Sequence, residues 1–199
     1  MNGWTFDRIL FVLSLVIIII STFLLLTRPF SEVDNGSSSL EHKPVDPAAL
    51  CSLPDHINPR EWKMIFIHHS GDKGKSLEEI YANYLDAGEK VPYHFLIKPN
   101  GSIMVTLFWK MQQWSSHTGK EEYDSESIGI CVIGDFSEKG GREPSEAQLE
   151  SCSALVKHLM KTYDIPVLYV WAGGDVSSSR EVNPGKHFPW DSFIRMVCE

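Results

Sequence analysis

The chain sets one long apolar run against a later series of short ones. Ile9 to Leu26 carries no charge and is broken only by Ser14, Ser21 and Thr22. At 1.5 Å per residue this run spans about 27 Å, close to the roughly 30 Å hydrocarbon core of a bilayer. A cleaved leader is the rival reading. Its apolar region is usually about 7–15 residues and ends in a small-x-small site, which Thr27-Arg28-Pro29-Phe30 lacks. The pattern predicts a short flank at 1–8 and a transmembrane anchor over residues 9–27. Arg8 before the span and Arg28 and Lys43 after it nearly tie the positive-inside comparison. Residues 28–59 hold Asn35-Gly36-Ser37-Ser38-Ser39 and Pro44, Pro47, Pro54 and Pro59, with little apolar periodicity. They read as a flexible linker. One folded domain is expected over residues 60–199.

Within that domain the periods change from segment to segment. Met64-Ile65-Phe66-Ile67 is a buried-strand run that ends on His68-His69-Ser70. Ser76 and Glu79 form a capping box ahead of Leu77, Ile80, Tyr81, Tyr84 and Leu85 at helical spacing, with Gly88 as the stop. Tyr93 to Lys98 and Ser102 to Leu107 read as strands joined by the turn Pro99-Asn100-Gly101. Ile128 to Ile133 is a further buried strand. Pro144-Ser145 opens a helix whose apolar face is Cys152, Leu155, Val156, Leu159, Met160 and Tyr163. Val167 to Trp171 reads as a strand, and Pro189-Trp190 opens a last helix through Phe193, Ile194 and Val197. Strands alternating with helices predict an α/β domain with a central mixed sheet flanked by helices.

Charge narrows the partners. Eighteen basic and 26 acidic residues give −8, and no basic cluster stands out, so a general phosphate-binding nucleic-acid protein is excluded. The four cysteines, Cys51, Cys131, Cys152 and Cys198, have neither zinc-knuckle nor small-scaffold spacing. Buried free thiols are the simpler reading. A Cys51–Cys198 bridge is the alternative outside the cytoplasm.

The candidate chemistry begins at His68 and His69. Neighbouring strand residues face opposite ways, so one of the two readily points into a given site. Taken alone, such a pair is more often packing or surface than a metal site. Four further blocks stand in order after it: Val91-Pro92-Tyr93-His94-Phe95 through Pro99-Asn100-Gly101, Ser116-His117-Thr118, Ser127 through Gly134-Asp135-Phe136, and Asn183-Pro184-Gly185-Lys186-His187-Phe188-Pro189-Trp190. Together the five resemble the type-2 N-acetylmuramoyl-L-alanine amidases, the family that includes phage lytic amidases and peptidoglycan recognition proteins. The resemblance covers residues 60–197.

It implies a sheet-and-helix domain with a groove for the glycan–peptide junction of peptidoglycan. It also implies a zinc ion held by His, His and Cys or Asp, with an open position for water. Carried over by position, His68 falls on the first ligand, Tyr93 on an assisting tyrosine and His117 on a groove histidine. The second ligand position holds Gly173, the third holds Asn183, and the oxyanion-side Lys or Thr position holds Glu181. Glycine has no donor atom, and a neutral amide is a poor zinc ligand. A carboxylate at 181 places negative charge where an oxyanion would develop. Asp175, His187 and His158 are the residues near enough in sequence to rebuild a site. They read more simply as a capping carboxylate, a packing residue and a surface residue. Trp109, Trp114 and Trp171 are either core or sugar-stacking, with Trp114, in a polar loop, the best sugar contact. Residues 119–124 read as an exposed loop at the groove rim.

Three readings follow. The first is a single-pass membrane protein with an extracytoplasmic peptidoglycan- or muropeptide-binding domain, zinc being absent or weakly held. The second is an active amidase with a rearranged metal site that keeps His68 and Tyr93. The third is a non-enzymatic envelope scaffold. Whether the chain is an enzyme stays open between them.

Overall fold

The computed structural model describes residues 46–71, 79, 91–176 and 182–199. Contacts divide the chain into Met1–Leu40 and Glu41–Glu199, and every described residue lies in the second unit. The expected anchor at 9–27 and the helix expected behind Ser76 lie outside the described residues, as does most of the expected linker. Among the described residues no helix is long and apolar enough to cross a membrane. The described part of the linker contains a short helix, α1 (Pro47–Cys51), capped by Asp46 Oδ1 accepting from the Ala48 and Ala49 amides.

Five strands form one sheet: β1 (Met64–His69), β2 (Phe95–Ile97), β3 (Ile103–Val105), β4 (Ser127–Val132) and β5 (Val170–Ala172). Their order is β3-β2-β4-β1-β5. β2 and β3 pair antiparallel and the other pairs are parallel, so the sheet is mixed. Central β1 and β4 are buried along almost their whole length. Continuous apolar sequence is what a strand covered on both faces requires.

Alternation then sorts the side chains. Ile65, Ile67, Phe95, Ile97, Ile128, Ile130 and Val132 join the main core, together with helices α4 (Glu146–Tyr163) and α5 (Trp190–Cys198). Those helices contribute Cys152, Leu155, Val156, Leu159, Phe193 and Val197. Each fully buried leucine or isoleucine contributes about 1.5–3 kcal/mol of transfer free energy. On the opposite face Met64 and Phe66 meet Val176, Tyr123 and Trp171, while Leu96 and Cys131 meet Val91 and Tyr93. His68 continues the Met64–Phe66 row.

α4 begins where sequence placed it. Ser145 Oγ accepts from the Gln148 amide, and Gln148 Oε1 accepts from the Ser145 amide. The buried Gln148 Nε2 also donates to the Ile97 and Ile133 carbonyls at 3.1 and 2.9 Å. One side chain thus closes the helix start and ties it to the ends of β2 and β4.

Three expectations are corrected. The strand read through Leu107 stops at Val105, and Leu107–Lys110 forms a helical turn, α2. Trp109 in that turn is fully buried and donates its indole N–H to the Cys51 carbonyl. The strand read from Val167 begins with a 3-10 turn, Val167–Tyr169, and pairs only over Val170–Ala172. Residues 119–124 are not simply an exposed loop: Glu121–Asp124 is a short helix, α3, and Asp124 is 1% exposed. No disulfide joins Cys51 and Cys198: Cys51 is in the core, whereas Cys198 is exposed. Burial pushes the Cys51 thiol up to about 12 and raises that of Cys152 as well, as expected of inert thiols.

Candidate functional site

The site lies on the sheet face opposite the two long helices. His68, 3% exposed, is carried to the C-terminal end of β1. Its ring sits 5.3 Å from Tyr93, 5.2 Å from His117 and 6.3 Å from Phe66, centroid to centroid. Tyr93 therefore stands beside His68. His69 faces the other way, as strand alternation requires, and its Nδ1 accepts from the Phe136 amide at 3.1 Å.

His117 is not a free groove histidine. It is buried beneath His68, and Gly129 of β4 makes its seat: a Cβ at 129 would stand 2.7 Å from His117 Cδ2 and Cγ. His117 Nδ1 lies 3.1 Å from His68 Nε2, and His117 Nε2 lies 3.1 Å from Ser127 Oγ. Burial lowers the pKa of both rings, that of His117 to about 4; in His68 the like charge of His117 and His69 adds to the effect of burial. Both are neutral at physiological pH.

Three further residues, to which the sequence reading gave no role, surround His117. His94 is fully buried, 6.0 Å from His117 between ring centroids. It accepts from the Gly129 amide through Nδ1 and donates from Nε2 to the Gln113 carbonyl. Burial lowers its pKa to about 3, helped by the proximity of His117. Ser127 is the second, fully buried at the start of β4. Asp124 is the third, its Oδ1 accepting from the Thr118 amide and hydroxyl at 2.8 and 2.7 Å. It stands 3.8 Å from His117 Nδ1, beyond hydrogen-bonding reach. His94 stood beside Tyr93, Ser127 opened a motif block and Asp124 lay in the segment read as a rim loop, but no sequence pattern assigned any of them a place at His117.

Gly173 is brought against the His68 ring, whereas Asn183 is tied to the Gly174 and His69 main chain. The Nδ1–Cε1 edge of His68 rests against Gly173, where a built Cβ would overlap both atoms and lie 3.2 Å from Cγ. The Asn183 carbonyl accepts from the Gly174 amide at 2.7 Å. Its side-chain Oδ1 accepts from the His69 amide at 3.0 Å. Glu181 lies outside the described residues. Asp175 Oδ2 accepts from the Ala172 amide and closes the 3-10 turn Gly173–Asp175. His158 lies on α4, half-buried, and His187 lies near Phe136, to whose carbonyl its amide donates. Among the described residues no group of three His, Cys, Asp or Glu side chains could hold a metal ion.

The tryptophans divide. Trp109 is core, and Trp171 is half-buried on β5, stacked on Tyr169 at 6.3 Å and 20°. Trp114 is 41% exposed, and among the described residues it makes no ring contact with the His68 cluster.

A family model described as N-acetylmuramoyl-L-alanine amidase matches residues 58–186. The 1,6-anhydro-N-acetylmuramyl-L-alanine amidase AmpD of Haemophilus influenzae is 28% identical over 114 residues, covering 54% of this chain and 59% of that protein. The endolysin amidase LysCS of Clostridium intestinale superposes with a TM-score of 0.59 at 24% identity, covering 69% of this chain and 84% of that one. The amidase AmiD of E. coli, bound to anhydro-N-acetylmuramic acid-L-Ala-D-gamma-Glu-L-Lys, gives a TM-score of 0.56 at 22% identity over 72% of this chain and 60% of that one.

Proposed function

The chain belongs to the N-acetylmuramoyl-L-alanine amidase family, and from that premise we propose that it binds peptidoglycan or muropeptides without zinc-dependent hydrolysis. The observation that carries this reading is the donor set around His68. The second ligand position is Gly173, which has no donor and whose Cβ direction is filled by the His68 ring. The third is Asn183, whose amide oxygen already accepts from the His69 main chain. Catalytic zinc sites need three protein ligands and an open position, and one imidazole with an engaged amide does not supply them. The residues present do not fit the metal, so no hydrolytic step is derived through it. What remains is a scaffold on which His68 and Tyr93 pack side by side, of a fold that in AmiD holds a muropeptide. Residues 9–27 serve as a membrane anchor in this reading, with the domain on the extracytoplasmic side where peptidoglycan lies.

The test uses full-length protein in detergent with insoluble purified peptidoglycan. Co-sedimentation, no release of stem peptides by mass spectrometry and much less than one zinc per chain by elemental analysis are expected. One zinc per chain together with stem-peptide release would establish an active amidase with a rearranged site instead. Absence of co-sedimentation would favour an envelope scaffold.

A further inference from the structure

The two ends of the sheet differ in what they expose. β1, β2, β4 and β5 run the same way, so Met64, Phe95, Ser127 and Val170 mark one end. β3 runs against them and closes at that end, with Val105 opposite Phe95. Of the six large apolar side chains exposed among the described residues, four stand there. Leu107 and Met111 follow β3 one helical turn apart, the Met111 amide donating to the Leu107 carbonyl. Leu168 and Tyr169 directly precede β5. Leu107 is 75% exposed and Leu168 79%. Val182 lies at the other end, next to Asn183, which accepts from the His69 amide.

β3 and β5 are the two borders of the sheet. Four interstrand steps of about 4.8 Å part them, so the two apolar corners stand about 19 Å from each other. A compact ligand in one pocket does not reach both corners, whereas a broad flat surface meets both at once. Exposed apolar side chains gathered on one side of a protein mark such contacts. Charge at this end is mixed. Lys110 and Lys161 are exposed, as are Glu61 and Asp164, and Lys63 pairs with Glu126 at 2.6 Å. The surface that fits is therefore apolar beneath a polar skin, and Tyr169 and the long lysine stems suit such a boundary.

The chain also enters the domain at this end. Trp109 of α2 donates its indole N–H to the Cys51 carbonyl at the close of α1. Gln112 Oε1, just beyond α2, accepts from the Arg60 amide and the Trp62 indole at 3.0 and 2.9 Å. Residues 28–45 separate the apolar run at 9–27 from Asp46, and even fully extended they reach only about 60 Å. A surface contact made on so short a leash needs little affinity of its own.

We propose that this end of the domain rests on the bilayer, with Leu107 and Met111 at one corner and Leu168 and Tyr169 at the other entering the lipid interface. The inference rests on the membrane-anchor reading above. It adds a second lipid contact, made by the folded domain, and turns the strand ends that carry His68, Gly173 and Asn183 away from the membrane.

The test uses the full-length protein in phosphatidylcholine nanodiscs. Cys198 is exposed and the other described cysteines are buried, so Cys198→Ser is the background for one introduced thiol labelled with the fluorophore NBD. The labelled sites are Leu107→Cys, Leu168→Cys and, for the opposite end, Val182→Cys. Nitroxide-bearing lipid should quench the probes at 107 and 168 and spare that at 182; aqueous iodide should do the reverse. Combining Leu107→Glu with Leu168→Glu should abolish nitroxide quenching of a probe at Met111→Cys. Both leucines are exposed, so the fold is expected to survive, which circular dichroism checks. Iodide quenching at 107 and 168 equal to that at 182 would overturn the proposal and leave the anchor reading standing. Probes shielded from both quenchers would overturn it too, by showing a second copy of the chain over this end. Protein that elutes apart from the nanodiscs would overturn the anchor reading itself.

Discussion

Gly173→Ala tests most directly how the site is packed. The His68 ring already occupies the space into which a Cβ at 173 would project. Gly173 does not sit in the left-handed region, so alanine is compatible with its backbone. Removing unfolded-state freedom should by itself stabilise by about 0.4–1 kcal/mol. Against this, the added methyl must push His68 away. The ring is held between Tyr93, Phe66 and His117, and moving it costs the hydrogen bond between His68 Nε2 and His117 Nδ1. Overpacking in a filled core costs about 1–3 kcal/mol, and the lost hydrogen bond about 1 kcal/mol. The net expectation is a destabilisation of about 1–3 kcal/mol. In a His68→Ala background the obstruction is gone, and Gly173→Ala should be neutral or slightly stabilising. Chemical unfolding of the four proteins followed by tryptophan fluorescence gives the coupling, expected at about 2–3 kcal/mol, well above the roughly 0.5 kcal/mol scatter of independent sites. Equal costs in both backgrounds would refute the packing of His68 against Gly173.

Gly129→Ala should destabilise by about 1–3 kcal/mol, because its Cβ would meet His117 at 2.7 Å; the same unfolding assay reads it. Gln148→Leu removes the donor to the Ile133 carbonyl and one of the two donors to the Ile97 carbonyl, which keeps the Ile133 amide, and should cost about 1–3 kcal/mol, visible as a lowered melting temperature. The buried histidines predict acid sensitivity. His94 and His117 have folded pKa values of about 3 and about 4, against an ordinary value near 6.5. Between those limits the unfolded chain binds more protons, so stability is full above about pH 6.5 and falls as pH drops. Each neutral histidine contributes a slope of up to about 1.4 kcal/mol per pH unit. Unfolding free energies that stay flat from pH 7 to 4.5 would contradict the burial of these rings.

The buried strands were legible because Met64–Ile67 and Ile128–Ile133 are continuous apolar runs, and α4 because its 3.6 period and its start signal agree. Val167 to Trp171 misled because a short apolar run cannot distinguish a 3-10 turn from a strand. Leu107 misled because it continues the strand-like alternation of Ile103 and Val105, while Trp109 turns inward to meet Cys51. Motif order singled out His68, Tyr93 and Gly173, and the structure packs the His68 ring against both of the others. What no pattern registers is the occupancy of individual lone pairs. Ser127 and Asp124 acquire their roles only when folding places them next to His117 and Thr118.

The short β5 strand also governs how the molecule meets copies of itself. A sheet edge normally presents a row of unused amides and carbonyls that another chain can zip onto. Here that edge is three residues long, about 10 Å, and a 3-10 turn interrupts the chain on either side. Its last amide, that of Ala172, is already taken by the Asp175 carboxylate. A strand approaching β5 finds too short a ladder to hold it, so sheet-to-sheet association through this border is disfavoured and the approach to Gly173 stays clear of neighbouring chains.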